Sequence, residues 1–201
     1  MGAQELYFER LDRAVHEARF LELAEEVRDA GEDGLDRMDL LFADPDEYYD
    51  LADRFEHDRD LPGGLVPMSR FLFFDGGRLV GQSNLRRRLS PALHLDGGHI
   101  GYVVRPALRH RGYATEILRQ TLEQARGIGI AHALLTVGTT NFPSLCVVEK
   151  NGGVFDRVPD GFAHAVGMFA VKQTAVYNGD LGPDAPPEEA PAAAGVADAA
   201  A

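Results

Sequence analysis

The chain has 201 residues and a formal net charge of −12, long enough for one domain with a full core. Its hydrophobic share of 45% is ordinary for a globular protein, and no run approaches the ~18–20 apolar residues that cross a bilayer. A single cysteine, Cys146, excludes an internal disulfide and a cysteine-based metal cluster, and the acidic balance argues against nucleic acid, whose phosphates demand cationic surface.

The charge is unevenly placed. Residues 1–60 hold 20 acidic and 7 basic side chains, residues 61–172 hold 7 and 13, and residues 173–201 hold 5 and none. A cationic middle stretch fits a small phosphorylated ligand. The acidic first third is either a solvated helix surface or an attractor for a cationic amine. The polar N-terminus MGAQELYFERLDRAVHE has no apolar signal core, so a cytoplasmic location is expected.

In chain order, LYFERL (6–11) reads as a short strand. Residues 13–29 follow as a helix with Ala14, Val15, Ala18, Leu21, Ala24 and Val27 on one face. GEDG at 31–34 breaks it. Asp44-Pro45 with Glu47 marks a second helix start, a capping carboxylate before a first-turn proline. Tyr48, Leu51, Ala52 and Phe55 give it an apolar face. LPGG (61–64) is a loop.

MSRFLFF (68–74) and RLVGQSNLRRRL (78–89) are two strands joined at Asp75-Gly76-Gly77, a strong hairpin signal. A loop at 90–97 leads to a third strand, 99–104, which Pro106 ends. The next helix carries Ala114, Ile117, Leu118, Thr121, Leu122 and Ala125 at three-and-four spacing and stops at Gly127 and Gly129. HALLTV (132–137) is a buried strand, expected to lie parallel to 99–104 through a right-handed crossover. Asn141 caps a short helix that Asn151-Gly152-Gly153 closes. VFDRV and FAHAVGMFAV are a closing antiparallel pair. From 173 the chain is Ala, Pro, Asp and Glu, a disordered acidic tail by composition. The fold class is α/β (α+β), a mixed sheet with helices on both faces.

Between the strand at 99–104 and its helix lies RHRGYA (109–114). Gly112 lets backbone approach a ligand, basic side chains flank it, and the new helix leaves N–H groups unpaired. Amides, dipole and arginine together make an anion site, most simply for phosphate. The chain lacks GxxxxGK[ST] and GxGxxG, which disfavours a nucleoside triphosphate or dinucleotide loop.

Arg109-x-x-Gly112-x-Ala114 resembles the pyrophosphate-binding signature [QR]-x-x-G-x-[GA] of the GNAT-type N-acetyltransferases. Gly101-Tyr102-Val103-Val104-Arg105-Pro106 is similar to that family's fourth strand and its V-x-P exit. Asn141-x-x-Ser144 with Glu149-Lys150-Asn151-Gly152-Gly153 is similar to its N-x-x-S…E-K-x-G helix. The resemblance covers roughly 68–170. Upstream, LVP, NLRRRL and GGHIGYVVRP are similar to a subgroup of small bacterial predicted acetyltransferases with a helical N-terminal extension.

The resemblance implies one GNAT-like domain over 1–172, with a helical part at 1–60, a cofactor-binding core at 68–170, and fourth and fifth strands splayed apart. It implies acetyl-CoA as co-substrate, no metal, a small-molecule or protein amine as acceptor, and a homodimer as the assembly common in the family. By carry-over, backbone groups of Tyr102, Val103 and Val104 hold the pantetheine arm and thioester. Arg109, Arg111, Gly112, Tyr113, Ala114 and Thr115 hold the diphosphate, and Asn141 and Ser144 line the pantetheine side.

Transfer would proceed by direct attack of the amine in a ternary complex. The tyrosine that many members use as acid falls at Val148, which leaves open a non-catalytic acyl-CoA-binding or interaction module. His99 is the candidate base, with packing or hydrogen bonding at the strand entry as the alternative. Asn84 and Arg86 are candidate substrate residues or a solvated sheet edge. Cys146, in an apolar run, is expected to be buried.

Overall fold

The computed structural model describes residues 6–32, 34–157 and 166–172. Two antiparallel sheets form the frame. The first has the order β1 (Tyr7–Arg10), β2 (Met68–Asp75), β3 (Arg78–Arg86), β4 (Ile100–Val104). The second has the order β5 (His132–Gly138), β7 (Val166–Lys172), β6 (Gly153–Arg157). The expected closing pair is therefore present, with β7 between β5 and β6. The acidic tail falls outside the described residues. No described helix is long and apolar enough to cross a membrane.

Helices cover both faces of the first sheet. On one face lie α1 (Arg13–Asp29), α2 (Met38–Ala43) and α3 (Pro45–His57). Phe20, Leu23, Val27, Leu41 and Tyr48 from these helices pack on Leu72, Phe74, Leu79 and Val103. On the other face α5 (Tyr113–Gly127) and α6 (Phe142–Lys150) join Phe71, Phe73, Val80, Ile100 and Val104 in a second core that reaches Leu135 on β5. Each fully buried Phe or Leu contributes ~1.5–3 kcal/mol, so the two cores hold the sheet from both sides.

The helix on 13–29 forms with a buried face one step out of phase with expectation. His16, Phe20, Leu23, Ala24 and Val27 are buried, while Val15 is 60% exposed. His16 takes part because its Nδ1 accepts from the Asp12 amide at 3.0 Å and its Nε2 meets Glu9 at 3.0 Å. A histidine satisfied in this way packs like an apolar residue. Asp44 caps α3 as expected, accepting from the Glu47 amide at 3.0 Å. Two short helices replace expected loop. They are α2, and α4 (Pro91–Leu95), which Ser90 caps through the Leu93 amide.

The main departure lies between β4 and β5. They form no parallel ladder; a single isolated antiparallel bridge, Gly98 to Leu135, joins the two sheets among the described residues. Beyond that point the strands diverge into separate sheets, which is the splay the resemblance implied.

Gly98 has φ +61°, and a Cβ there would meet the Leu134 carbonyl oxygen at 2.3 Å. At Gly31 the φ is +73° but a Cβ would meet nothing within 4 Å. Gly31→Ala should therefore cost only the ~1–2 kcal/mol of left-handed backbone. Gly98→Ala should cost clearly more, because it also wedges the bridge open. Denaturant unfolding of both variants checks this; equal losses would contradict the role given to Gly98.

Candidate functional site

The site grows from the split. His99 enters β4 with its amide donating to the Leu134 carbonyl at 2.7 Å, and the Leu134 amide donates back to His99 Nδ1 at 3.0 Å. A side chain thus completes what would be a ladder pair, and the strands part immediately afterwards. His99 is 7% exposed. Burial, with the nearby charges of His94 and Arg86 adding to it, pulls its pKa down to about 4. An imidazole whose Nδ1 already accepts from Leu134, and whose pKa is pulled that low, is a weak base. The geometry favours the hydrogen-bonded alternative at the strand entry over the role of general base.

Past His99, β4 has one paired edge and one open edge. The bonds Arg86 N to His99 O (2.8 Å) and Arg105 N to Val80 O (2.9 Å) set the parity of the β3–β4 ladder. In an antiparallel pair the bonding residues alternate, so the backbone of Gly101 and Val103 faces β3. The N–H and C=O of Tyr102 and the N–H of Val104 face the split. The backbone of Val103 is thus directed to Gln82, and its side chain lies in the core with α1–α3. The Val104 carbonyl accepts from Arg109 Nε at 3.3 Å.

At the far end of β4 a 3₁₀ turn (Pro106–Leu108) leads into α5. Gly112, φ +85°, precedes the helix, and no side chain caps it. The first intrahelical bond runs from Glu116 N to Gly112 O at 3.3 Å, so the amides of Tyr113, Ala114 and Thr115 project from the helix end. A Cβ on Gly112 would meet nothing within 4 Å, so the approach to these amides is clear.

The two arginines of the turn part company. Arg109 is committed to Glu32, with Nη1 and Nη2 at 2.5 and 2.6 Å from its two carboxylate oxygens, and this pairing holds the Glu32 carboxyl below its usual range. This pair ties the turn to the loop after α1. Arg111 is exposed and forms no ion pair among the described residues. Tyr113 sends its hydroxyl to Asp75 in the β2–β3 hairpin.

α6 closes the other side. Asn141 spends its side chain on the Ser144 amide at 3.2 Å, an N-cap. Asn151 Nδ2 ties α6 to α5 through the Thr115 carbonyl at 3.2 Å. Val148, where an acid was sought, is wholly buried, so a tyrosine there would have no room. The Tyr102 hydroxyl lies toward Ser144 and is buried without a partner of proper hydrogen-bond geometry. Burial pushes its pKa up, which keeps it protonated. Cys146 is exposed rather than buried.

Sequence reasoning missed one residue on the opposite face. Arg70, on β2, is 6% exposed. Its Nε donates to Asn84 Oδ1 at 2.9 Å, its Nη2 reaches Asp36 at 3.4 Å, and its Nη1 is buried without a partner. Burial brings its pKa down to about 10, so it is still charged at neutral pH. Arg86 reaches the Gly98 carbonyl at 3.2 Å. Asn84 and Arg86 are thus a buried polar residue and a largely buried one, not a solvated edge. The signal was available as a lone arginine inside the apolar strand MSRFLFF. No cluster able to hold a metal exists among the described residues.

The model described as "Acetyltransferase (GNAT) family" matches residues 24–152. No curated protein matches the chain. Among solved structures, RimL, the ribosomal L7/L12 alpha-N-protein acetyltransferase in complex with coenzyme A, is similar at 16% identity and a TM-score of 0.62, over 83% of this chain and 93% of that one. The PaiA N-acetyltransferase of Thermoplasma acidophilum in complex with coenzyme A is similar at 14% identity and 0.57, over 84% and 99%. An N-acetyltransferase of Staphylococcus aureus Mu50 is similar at 13% identity and 0.57, over 84% and 98%.

A histidine whose folded pKa is depressed stabilises the fold while it is neutral. That contribution is whole above the unfolded value of about 6.5 and is lost as pH falls toward about 4. The loss attributable to His99 should approach ~3 kcal/mol at the acid end. His99→Asn keeps an acceptor for Leu134 but cannot titrate. Urea unfolding between pH 7 and 4 should show a flatter profile for this variant; parallel profiles would refute the assignment.

Proposed function

The chain belongs to the acetyltransferase (GNAT) family, and on that footing we propose that it moves an acetyl group from acetyl-CoA to a primary amine, on a small molecule or a protein, by direct attack. The observation that carries the reading is the pairing of an uncapped helix end at Gly112 with the open edge of β4, two donor sets on either side of one split. The relatives solved with coenzyme A support the co-substrate.

These residues fit such a ligand. The amides of Tyr113, Ala114 and Thr115, with Arg111, would hold a diphosphate. Tyr102 and Val104 would offer backbone groups to an amide-containing arm, in the manner of an added strand. When bound, acetyl-CoA supplies an acyl group activated as a thioester. Backbone N–H donors fixed in the split would stabilise charge on the acyl oxygen as the amine attacks, at no cost of reorganisation. With His99 withdrawn, the amine proton passes to water. The Tyr102 hydroxyl, protonated and lacking a partner, is the group we assign to return a proton to the departing sulfur.

Acetyl-CoA should raise the melting temperature, since a ligand of the folded state alone stabilises it. Gly112→Glu should abolish that shift by bulk and like charge. No shift at saturating acetyl-CoA would remove the co-substrate assignment. Tyr102→Phe should lower kcat by ~10²-fold while leaving the acetyl-CoA shift near wild type. Thiol release across an amine panel measures kcat; wild-type rates in this variant would exclude the tyrosine as acid, and steady turnover of any amine excludes a non-catalytic module.

A further inference from the structure

The turn that leads into α5 is not held by its own backbone. Among the described residues, the amides of His110, Arg111 and Gly112 enter no backbone–backbone hydrogen bond as donors. The turn also passes through two left-handed residues, His110 at φ +61° and Gly112 at φ +85°. Glycine takes that conformation freely. Histidine takes it at a cost, and such a residue persists only where its surroundings fix it.

Side chains fix the turn from both ends. After it, Tyr113 reaches Asp75 of the β2–β3 hairpin. Before it, Arg109 is held on three nitrogens. Its Nε donates to the Val104 carbonyl at 3.3 Å, and Nη1 and Nη2 donate to the two carboxylate oxygens of Glu32 at 2.5 and 2.6 Å. The guanidinium therefore reaches back onto the last residue of β4, and Glu32 sets its orientation.

Glu32 is itself placed by the end of α1. Gly31 stands there at φ +73°. Its amide donates to the Arg28 carbonyl at 2.8 Å, and the Glu32 amide donates to the Val27 carbonyl at 3.2 Å. These are the paired bonds of a glycine-terminated helix, and they fix the Glu32 backbone before its side chain meets Arg109. Further along the same loop, a Cβ on Gly34 would lie 3.4 Å from Val103 Cγ2, and Asp36 meets Arg70 at 3.4 Å. Glu32 is thus a carboxylate on an anchored backbone.

We propose that Glu32 is a positioning residue for the cofactor: acting through Arg109, it holds the turn in the shape that aims the amides of Tyr113, Ala114 and Thr115 at a diphosphate. The proposal rests on the acetyl-transfer reading and adds to it a residue 77 positions from Arg109 in the chain. A two-pronged guanidinium–carboxylate pair restrains orientation as well as distance, which an ammonium cannot do. A site shaped before its ligand arrives loses less freedom on binding, so removing the restraint lowers affinity. The competing arrangement has the opposite sign. Were Arg109 the diphosphate's own ligand, Glu32 would compete for it, and removing the carboxylate would raise affinity.

The test is calorimetric titration of coenzyme A and acetyl-CoA into the full chain and three variants, Glu32→Gln, Arg109→Lys and the double variant. Glu32→Gln keeps the shape of the side chain without its charge, and should weaken both ligands about fivefold. Arg109→Lys keeps the cation without the fork, and should weaken them at least as much. The double variant should bind no more weakly than Arg109→Lys alone, because a residue that acts through another has no effect once that other is gone. In thiol release with any amine that the wild type turns over, Glu32→Gln should raise KM for acetyl-CoA and leave kcat unchanged.

A purely structural role would lower the melting temperature of the unliganded protein and leave coenzyme A affinity as it is. That result overturns the proposal, as does tighter binding by Glu32→Gln or additive losses in the double variant. If Glu32→Gln fails to fold, Arg109→Lys carries the test alone, and wild-type affinity in that variant overturns the proposal. Each of these outcomes leaves acetyl transfer standing. Failure of the wild type to bind either ligand overturns both readings.

Discussion

Two hydrogen bonds around Leu134 tie β4 to β5 and also limit how far the two strands pair. The His99 amide and ring satisfy both polar groups of Leu134, and Gly98 lets the chains come close enough to do so. Had β4 continued as a ladder against β5, the groups of Tyr102 and Val104 would be consumed inside a sheet. Because a side chain stands in for the next backbone partner, pairing stops there and an edge with free donors and acceptors remains. Open edges are usually a hazard for a sheet. Here the open edge is the feature on which the proposed cofactor reading rests.

The same economy recurs at the turn before α5. Its two arginines have similar sequence surroundings but different duties. Arg109 spends its planar fork on Glu32 and on the Val104 carbonyl, anchoring the loop after α1 to the end of β4. Arg111 stays outside. The N-terminal helices are therefore bound to the C-terminal end of β4 by a charge-assisted pair, while Arg105 makes a second tie to Glu22 at 3.3 Å. The surplus of acid in residues 1–60 is partly explained by these partners.

On the opposite face, the pairing of Arg70 with Asn84 makes the sheet two-sided in chemistry as well as in packing. One face presents Tyr102 and the helix amides of α5; the other presents Arg70 and Asn84. Alternation along β4 puts Tyr102 and Gly101, neighbours in sequence, on different sides.

Much of this was written locally. The hairpin at Asp75-Gly76-Gly77, the caps at Asp44 and Asn141, the period of α5 and the glycine before it are short-range signals, and each acts through the backbone next to it. The distribution of hydrogen bonds across the split was not legible, since it depends on His99 meeting Leu134, 35 positions away in the chain. The same holds for the fate of Arg109, settled by Glu32. The pairing at Arg70 shows the reason most clearly. Counting back from the hairpin, where Asp75 pairs with Arg78, would set Arg70 opposite Ser83. The ladder instead shifts by one between Phe73 and Phe74, so that Arg70 pairs with Asn84. One extra residue in a strand reassigns every side chain beyond it to the other face. Sequence by itself determined which strands, helices and turns form; the one-residue shift in the β2–β3 ladder decided which side chains share a face, because successive residues of a strand point to opposite sides.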